Sequence, residues 1–336
     1  MDFTEYIDLA AERLGGRVLA ANDEFFAPKE NLLKAAAPVW IADKYTDVGK
    51  WMDGWETRRR RTPGYDWCIV KLGLPGMIHG VVVDTSYFKG NFPEHCEMEA
   101  CTAEVDAPPA QLEGEATKWS TLLPKSALAG DTRNPFAINS AGERITHLRL
   151  KIYPDGGVAR LRVHGEVVPD WPALARTGSA IDLSAVEHGG WVILSSDMFF
   201  GSRNNLILPG PSAGMHDGWE TRRRRGPGHD WCVVRLGEAG RVTRVDVDTS
   251  HFKGNFPESC SLEVCAAPRN LVDPAALDAL PWKEILQRTK LKADSMHFFD
   301  KELLESGEIT HARFHIYPDG GVARLRIFGT LSQSRS

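Results

Sequence analysis

Two polar blocks in the sequence could do chemistry, and each occurs twice. Glu56 opens a run of six residues without an apolar side chain, and the run ends in four arginines. The same letters recur from Glu220 to Arg225. Guanidinium groups bind carboxylates through paired N–H donors, and positioned carboxylic acids transfer protons. The block therefore predicts a loop site that binds a small anion and supports acid–base chemistry.

The second block runs from Asp84 to Glu94 and recurs from Asp248 to Glu258, with only Tyr87 replaced. Asp84 follows an apolar strand, an environment that raises a carboxyl pKa. The alternative is that Asp84 caps its own loop by accepting backbone N–H groups. Candidate proton-transfer residues are Asp84, Glu56, Asp248 and Glu220. Candidate substrate-binding residues are Arg58, Arg60, Lys89, Asn91, Glu94 and His147, with their counterparts Arg222, Arg224, Lys253, Asn255, Glu258 and His311.

Each candidate class has a structural alternative. The arginine runs could be surface charge paired with Asp and Glu. His147 and His311 lie on the polar face of a predicted strand, where a histidine is commonly at the surface or in an interface. No His–Glu pair has helical metal-ligand spacing, so we expect no tightly bound metal. A loosely bound divalent ion stays open, and no cofactor is required.

The repeated blocks share one offset of 164 residues, from Asp53 to Asp217. The starts of the copies, Asp8 and Asp182, differ by 174 residues, so the first copy has a connection before Asp53 that is ten residues longer. Residues 171–180 are rich in small residues and include a proline, as expected of a linker. We predict one domain over residues 1–170 and a second over 181–336.

Each copy has the pattern of an antiparallel sandwich. Asp66–Gly73 and Ile78–Asp84 are β-branched runs separated by a Pro–Gly turn. Residues 145–153 alternate between apolar and polar side chains, and Pro154–Gly157 then predicts a hairpin turn. One buried face per strand favours an all-β fold with two β-sandwich domains. Short helices are expected at Tyr6–Leu14, Trp119–Leu123 and Trp282–Gln287.

Composition excludes several classes of protein. The net charge of −5 gives no reason to expect binding to nucleic acid or acidic membranes. No apolar run is long enough to span a bilayer, and the N-terminal segment lacks the basic start of a signal peptide. We therefore expect a cytoplasmic protein. In that reducing compartment the six cysteines are expected to be structural thiols.

The order of these motifs resembles the allantoicase family over essentially the whole chain. The resemblance is carried, in two copies, by Asp53–Arg61, Asp66–Cys68, Val83–Ser86 and Phe88–Glu94. It implies two jelly-roll β-sandwich domains of galactose-binding (discoidin-like) type. It also implies a hydrolase that acts on carbon–nitrogen bonds in linear amidines. The expected reaction is hydrolysis of allantoate to ureidoglycolate and urea, in the breakdown of allantoin and purines.

Two other functions stay open at this point: a tandem discoidin-like binding protein without catalysis, and a related ureido-hydrolase. A binding module would predict an exported chain with apolar loop tips, whereas the repeated blocks here are charged. The copies could form one composite site, two sites, or a catalytic and a scaffold copy. Polar faces that carry His147, Arg149, Arg160 and Arg162 could be covered by the other copy or another subunit, so we expect a homo-oligomer.

Overall fold

The structure is a computed structural model that describes residues 2–140, 142–175 and 180–331. The chain divides into two compact units, residues 1–168 and 169–336. Antiparallel strands dominate both units, which confirms the predicted all-β, two-domain fold. Within the predicted linker, residues 171–175 form a short helix and residues 176–179 lie outside the described part of the chain. The limits 171 and 180 stay a prediction.

The first unit contains two layers of β-strands and several short strands. Its strands are β1 (Ile7–Asp8), β2 (Arg17–Ala21), β3 (Tyr45–Thr46), β4 (Gly49–Lys50), β5 (Trp55–Glu56), β6 (Asp66–Asp84), β7 (His95–Cys101), β8 (Ser120–Ala127), β9 (Arg133–Ala137), β10 (Ile145–Tyr153), β11 (Gly157–Val158) and β12 (Arg160–Val167). Its helical segments are α1 (Pro109–Glu113) and 3-10 turns at Phe3–Glu5, Glu12–Leu14 and Lys29–Leu33.

The second unit repeats this order without the β3–β4 hairpin. Its strands are β13 (Ile181–Asp182), β14 (Trp191–Ser195), β15 (Trp219–Glu220), β16 (Asp230–Asp248), β17 (Ser259–Cys265), β18 (Lys283–Lys290), β19 (Met296–Phe299), β20 (Ile309–Tyr317), β21 (Gly321–Val322) and β22 (Arg324–Leu331). Its helical segments are α2 (Trp171–Ala175), α3 (Pro274–Asp278) and 3-10 turns at Val186–His188, Arg203–Ile207 and Met215–Asp217.

A single long strand, β6, joins both layers of the first unit. Its first part pairs with β2 and β10, and its second part pairs with β9 and β12. The prediction of two strands separated by a Pro–Gly turn is therefore wrong. Gly76 lets the strand pass between layers, since a Cβ there would lie 2.2 Å from the Glu166 carbonyl oxygen. Strand β16 has the same role in the second unit.

The predicted hairpin at residues 154–157 is also wrong. Strands β10 and β12 both pair with β6, one with each of its parts, so the turn carries the chain from one layer to the other. This crossing holds the two polar blocks in place. The Gly157 N–H donates to the Asn91 carbonyl oxygen (2.7 Å), and the Thr57 N–H donates to the Gly156 carbonyl oxygen (3.1 Å).

The three predicted helices do not form over their predicted ranges. Two of these segments are edge strands, β8 and β18, which pair with β7 and β17. The third, residues 6–14, contains β1 and a 3-10 turn at Glu12–Leu14. Backbone pairing with a neighbouring strand outweighs the weak local preference for helix in such short segments. No helix in the described residues is long and apolar enough to cross a membrane.

The six cysteines are all free and buried, which agrees with their predicted structural role. Burial raises the pKa of the Cys96 thiol to about 12, so this group stays a neutral thiol at physiological pH. Trp55 and Trp219 are fully buried at equivalent positions in the two cores. These residues serve packing rather than ligand binding.

The arginines on the polar sheet faces have partners within their own unit. Arg160 pairs with Asp53 (Nη2 to Oδ2, 2.7 Å), and both side chains are buried. Arg162 donates to the Lys34 carbonyl oxygen, and Arg149 pairs with Glu99 (2.5 Å). These side chains therefore have partners without a second subunit. Coverage of these faces by the other copy or another subunit, and the homo-oligomer that it suggested, stay predictions.

Candidate active site

Glu56 and Asn91 meet at one rim of the first unit, although they lie 35 residues apart in sequence. Strand β5 ends at Glu56 and pairs with β11. The loop after β6 is held against β11, because the Gly157 N–H donates to the Asn91 carbonyl oxygen. As a result, the Asn91 side-chain amide donates to Glu56 Oε1 at 2.6 Å. Both predicted polar blocks thus contribute to one site.

A pocket of about 560 Å³ opens at this pair. It combines one carboxylate, one carboxamide and two ammonium groups with aromatic walls. Its lining residues are Phe26, Trp40, Lys50, Met52, Glu56, Tyr87, Lys89, Gly90 and Asn91.

One wall of the pocket comes from the connection that is ten residues longer in the first copy. This connection, residues 34–52, carries Trp40, Lys50 and Met52. The Asp53 carboxylate accepts the Val39 N–H (3.1 Å) while it pairs with Arg160, and so fixes the start of the connection. The β3–β4 hairpin fixes its end, because it places Lys50 opposite Tyr45. The longer connection therefore builds a site that the second unit lacks.

The electrostatics of the pocket favour an anion beside an acid. Burial raises the pKa of the Glu56 carboxyl, and the hydrogen bond from Asn91 acts in the opposite direction. The Lys50 ammonium donates to the Ile41 carbonyl oxygen (2.9 Å) and lies 4.6 Å from the centres of the Trp40 and Tyr45 rings. These partners are uncharged, and among the residues that the structure describes no carboxylate forms an ion pair with Lys50. Lys89 is exposed and lies 3.7 Å from the Asp131 carboxylate.

Tyr87 adopts a backbone conformation that non-glycine residues rarely adopt, with φ of +70°. The Asp131 carboxylate holds this conformation by accepting the Tyr87 N–H at 2.7 Å. The ring then lines the pocket, tilted 27° from the Trp40 indole with 6.2 Å between ring centres. Such conformations cost energy and concentrate at functional sites. The counterpart His251 shares the conformation, with φ of +72°.

The second unit keeps the central pair but surrounds it differently. Asn255 donates to the partly exposed Glu220, as Asn91 does to Glu56. Met215 lies against Asn255, with 3.8 Å between Sδ and Nδ2. A pocket of about 650 Å³ extends from the pair toward β18 and the second arginine run. Its lining residues are Phe200, Glu220, Thr221, Arg223, Arg224, Gly254, Asn255, Phe256, Glu258, Lys290, Leu291, Pro318, Asp319 and Gly320.

Comparison with known proteins places this duplicated chain in a family. A sequence profile described as the allantoicase repeat matches residues 7–168 and residues 181–332. The chain belongs to the allantoicase family. The resemblance seen in the motifs is thereby confirmed, and so is the class of enzyme, a hydrolase of carbon–nitrogen bonds in linear amidines.

Curated relatives and solved structures agree with this membership. The allantoicase of Dictyostelium discoideum is 47% identical over 334 residues, which cover 99% of this chain and 89% of that protein. Probable allantoicase 1 of Burkholderia mallei is 46% identical over 333 residues, covering 99% and 97%. A crystal structure of allantoicase from Saccharomyces cerevisiae is 37% identical, with a TM-score of 0.77 and coverage of 96% of this chain and 92% of that chain.

Of the residues predicted for an allantoicase site, the structure groups some and separates others. The first pocket contains Glu56, Lys89 and Asn91, and the second contains Glu220, Arg224, Asn255 and Glu258. The remaining candidates are not lining residues of either pocket. They are Asp84, Arg58, Arg60, Glu94, His147, Asp248, Arg222, Lys253 and His311.

The predicted arginines already have carboxylate partners. Arg58 is exposed and pairs with Asp23 (Nε to Oδ2, 2.7 Å). Arg60 pairs with the buried Asp66 (Nη1 to Oδ1, 2.7 Å). Arg222 and Arg224 repeat these pairs in the second unit, with Asp197 and Asp230. This arrangement favours the structural alternative for these four side chains.

Asp84 and Asp248 show the loop-capping geometry. Asp84 Oδ1 accepts the Ser86 N–H at 2.8 Å, and Asp248 Oδ1 accepts the Ser250 N–H at the same distance. Neither carboxylate lines either of the two described pockets, so the geometry favours Glu56 as the acid–base residue.

The predicted histidines are buried away from the pockets. His147 and His311 have no exposed surface, and each Nδ1 contacts the hydroxyl of the preceding threonine at 2.9 Å and 2.8 Å. Burial and nearby positive charge lower the pKa of both imidazoles to about 4. Each is therefore a neutral group at physiological pH.

Phe26, Trp40, Lys50 and Met52 line the pocket but were not predicted as site residues from the sequence. The signal for three of them was present, because the extra length before Asp53 marks a segment that only the first copy has. Among the residues that the structure describes, no cluster of three or more His, Cys, Asp or Glu side chains could hold a metal ion.

Proposed function

We propose that this chain hydrolyses allantoate to ureidoglycolate and urea, and that the pocket around Glu56 performs the reaction. Membership of the allantoicase family supports the substrate. The single observation that supports the location is a buried carboxyl with a raised pKa beside two ammonium groups. Glu220, its counterpart, is partly exposed and has no lysine in the equivalent wall.

Allantoate carries a carboxylate and two ureido groups on one carbon, and the pocket offers a partner for each. Lys50 and Lys89 bind the carboxylate in place of Arg58 and Arg60, whose ion pairs are close (2.7 Å), whereas Lys89 has only a long contact with Asp131 (3.7 Å). The Asn91 amide and the Tyr87 hydroxyl hydrogen-bond the ureido groups. The Trp40 ring provides a flat surface for a planar ureido group. These contacts orient the central carbon toward Glu56.

Glu56 in its acid form donates its proton to the nitrogen of the departing ureido group, and the carbon–nitrogen bond breaks. Urea leaves with this proton. The resulting Glu56 carboxylate accepts a proton from water as the water oxygen bonds to the central carbon, which yields ureidoglycolate and restores the acid. These two transfers balance direct displacement, whereas elimination followed by addition also requires that the N–H proton of the remaining ureido group be removed and then returned. Positioned acid–base groups contribute roughly 10²–10⁴-fold, and orientation of the substrate adds to this.

The proposal is tested by measuring urea release from allantoate, with allantoin and ureidoglycolate as parallel substrates. Release from allantoate alone supports it. Binding of allantoate without urea release would support the non-catalytic binding module, and release from another ureido compound would support a related hydrolase. Cytoplasmic location and homo-oligomeric assembly stay predictions from the sequence.

A further inference from the structure

The second pocket contains cationic groups that the proposed reaction does not use. Arg223 and Lys290 line it, and in the described part of the chain neither has a carboxylate within ion-pair distance. The other charged lining groups are engaged. Arg224 pairs with Asp230, Glu258 pairs with Arg288 (3.0 Å), and Asp319 accepts the Arg224 backbone N–H (2.8 Å). Arg223 and Lys290 thus face the pocket together with two carboxylates, Glu220 and Asp319, which accept hydrogen bonds from uncharged N–H groups.

Lys290 is specific to the second unit. It ends β18, where strand register places it opposite Ser259. In the first unit the same register places Ala127 opposite His95. The second pocket therefore has the Lys290 ammonium on the side where the first unit has the methyl group of Ala127. The two pockets also differ because the wall that carries Lys50 in the first unit has no counterpart in the second pocket.

The Glu220–Asn255 pair in the pocket indicates which second chemical group the ligand carries. Glu220 accepts from Asn255, and both side chains line the pocket. A carboxylate oxygen accepts N–H groups, and a carboxamide both donates and accepts, so together they match an amide or ureido group. Arg223 and Lys290 match a carboxylate.

We propose that the second unit holds a separate, non-hydrolytic binding site for a small carboxylate that also carries an amide or ureido group. The choice of ligand class rests on the proposed function, because both pockets share the Glu–Asn pair. Substrate and product both belong to this class. The site binds without turnover because Glu220 is partly exposed and no buried acid faces the ligand.

The test uses the full chain with Glu56→Gln, in which turnover should fall at least about 100-fold, so that binding can be followed by titration calorimetry before much substrate is consumed. The probes are allantoate, ureidoglycolate, urea and acetate. We expect two binding events per chain for a ureido acid, and one event after Arg223→Ala and Lys290→Ala are added. The matched control adds Arg222→Ala and Lys253→Ala, which remove two exposed cations of the same unit outside the pocket. This control should keep both events.

The proposal is overturned if the replacement of Arg223 and Lys290 removes no binding event, whether one event or two are observed before it. Acetate that binds the second site as tightly as ureidoglycolate would overturn the ligand class. Thermal unfolding of each variant verifies that the units remain folded. Failure of the proposed function is separate, because it is read from urea release by the unmodified chain. A second site that binds ureidoglycolate stands whether or not that release is observed.

Discussion

The side-chain amide of Asn91 donates to the carboxylate of Glu56 at 2.6 Å, and this contact joins the two polar blocks of the first repeat. Asn255 and Glu220 form the same contact in the second repeat. The duplication thus preserved the central pair. The surroundings differ: two lysines and three aromatic rings line the first pocket, whereas two arginines, a lysine and two further carboxylates line the second. This contrast leads to separate predictions for the two units.

Replacement of Lys50 tests how the substrate carboxylate is bound. Lys50→Ala should raise KM for allantoate about tenfold, the equivalent of about 1.4 kcal/mol, with a smaller change in kcat. The ammonium binds a charge that is present in both the ground state and the transition state, so its loss weakens binding throughout the reaction. Lys50→Arg should recover part of the loss. Arg58→Ala serves as the control, because Arg58 is exposed and paired with Asp23, and its KM should stay near that of the unmodified chain.

The pH dependence of kcat should report the Glu56 carboxyl. Because burial raises its pKa, the acid form persists to higher pH than in an ordinary glutamic acid. The proposed reaction begins from this acid form, so kcat should be level at low pH and fall as pH rises through the raised pKa. The Asn91 bond lowers this pKa, so Asn91→Leu should move the falling limb to higher pH. A limb that moves equally in Asn255→Leu would contradict the assignment.

Asp53 links stability to the shape of the first pocket. Its ion pair with Arg160 is buried, and the same carboxylate holds the Val39 N–H. Asp53→Ala leaves the guanidinium without its counter-ion and should lower the free energy of unfolding by about 3–5 kcal/mol. Asp217→Ala removes the matching ion pair with Arg324 and should cost a similar amount. Unfolding in guanidinium chloride measures the change in the free energy of unfolding for both variants. Only Asp53→Ala should also raise KM for allantoate, and an equal rise in both variants would contradict the account.

The buried histidines should make the protein sensitive to acid. The pKa of His147 and of His311 is lowered to about 4, whereas an unfolded histidine titrates near 6.5. As pH falls below about 6.5, the unfolded chain binds protons that the folded chain does not, so stability decreases until pH reaches about 4. The loss should be about 3 kcal/mol for each histidine. His147→Leu should reduce the acid-side slope of the free energy of unfolding, and an unchanged slope would contradict this explanation.

Much of the fold could be predicted from the sequence because its signals are local or repeated. Alternation in residues 145–153 gave a strand, and the repeated blocks gave two units. The continuity of β6 was not predictable, because it depends on whether Pro75 and Gly76 form a turn or a bend between layers. That choice is set by pairing with β10 and β12, which are distant in sequence.

The site was predictable only in part for a similar reason. The polar blocks pointed to Glu56 and Asn91, which do lie together. The arginines indicated anion binding, but Arg58 and Arg60 instead form ion pairs with Asp23 and Asp66. The positions of these two carboxylates follow from the fold. The sequence did not indicate Lys50 as a site residue, because a lysine in a long connection is ordinarily solvated. Its place in the pocket follows from the β3–β4 hairpin, which the sequence analysis did not predict.

The most direct test of the central claim compares Glu56→Gln with Glu220→Gln in one urea-release assay with saturating allantoate. Both substitutions remove one carboxylate from the same Glu–Asn pair, so each controls for the other. The account predicts that kcat falls at least about 100-fold in Glu56→Gln and stays within about twofold of the unmodified chain in Glu220→Gln. Full activity in Glu56→Gln, or an equal loss in both variants, would contradict catalysis in the first pocket.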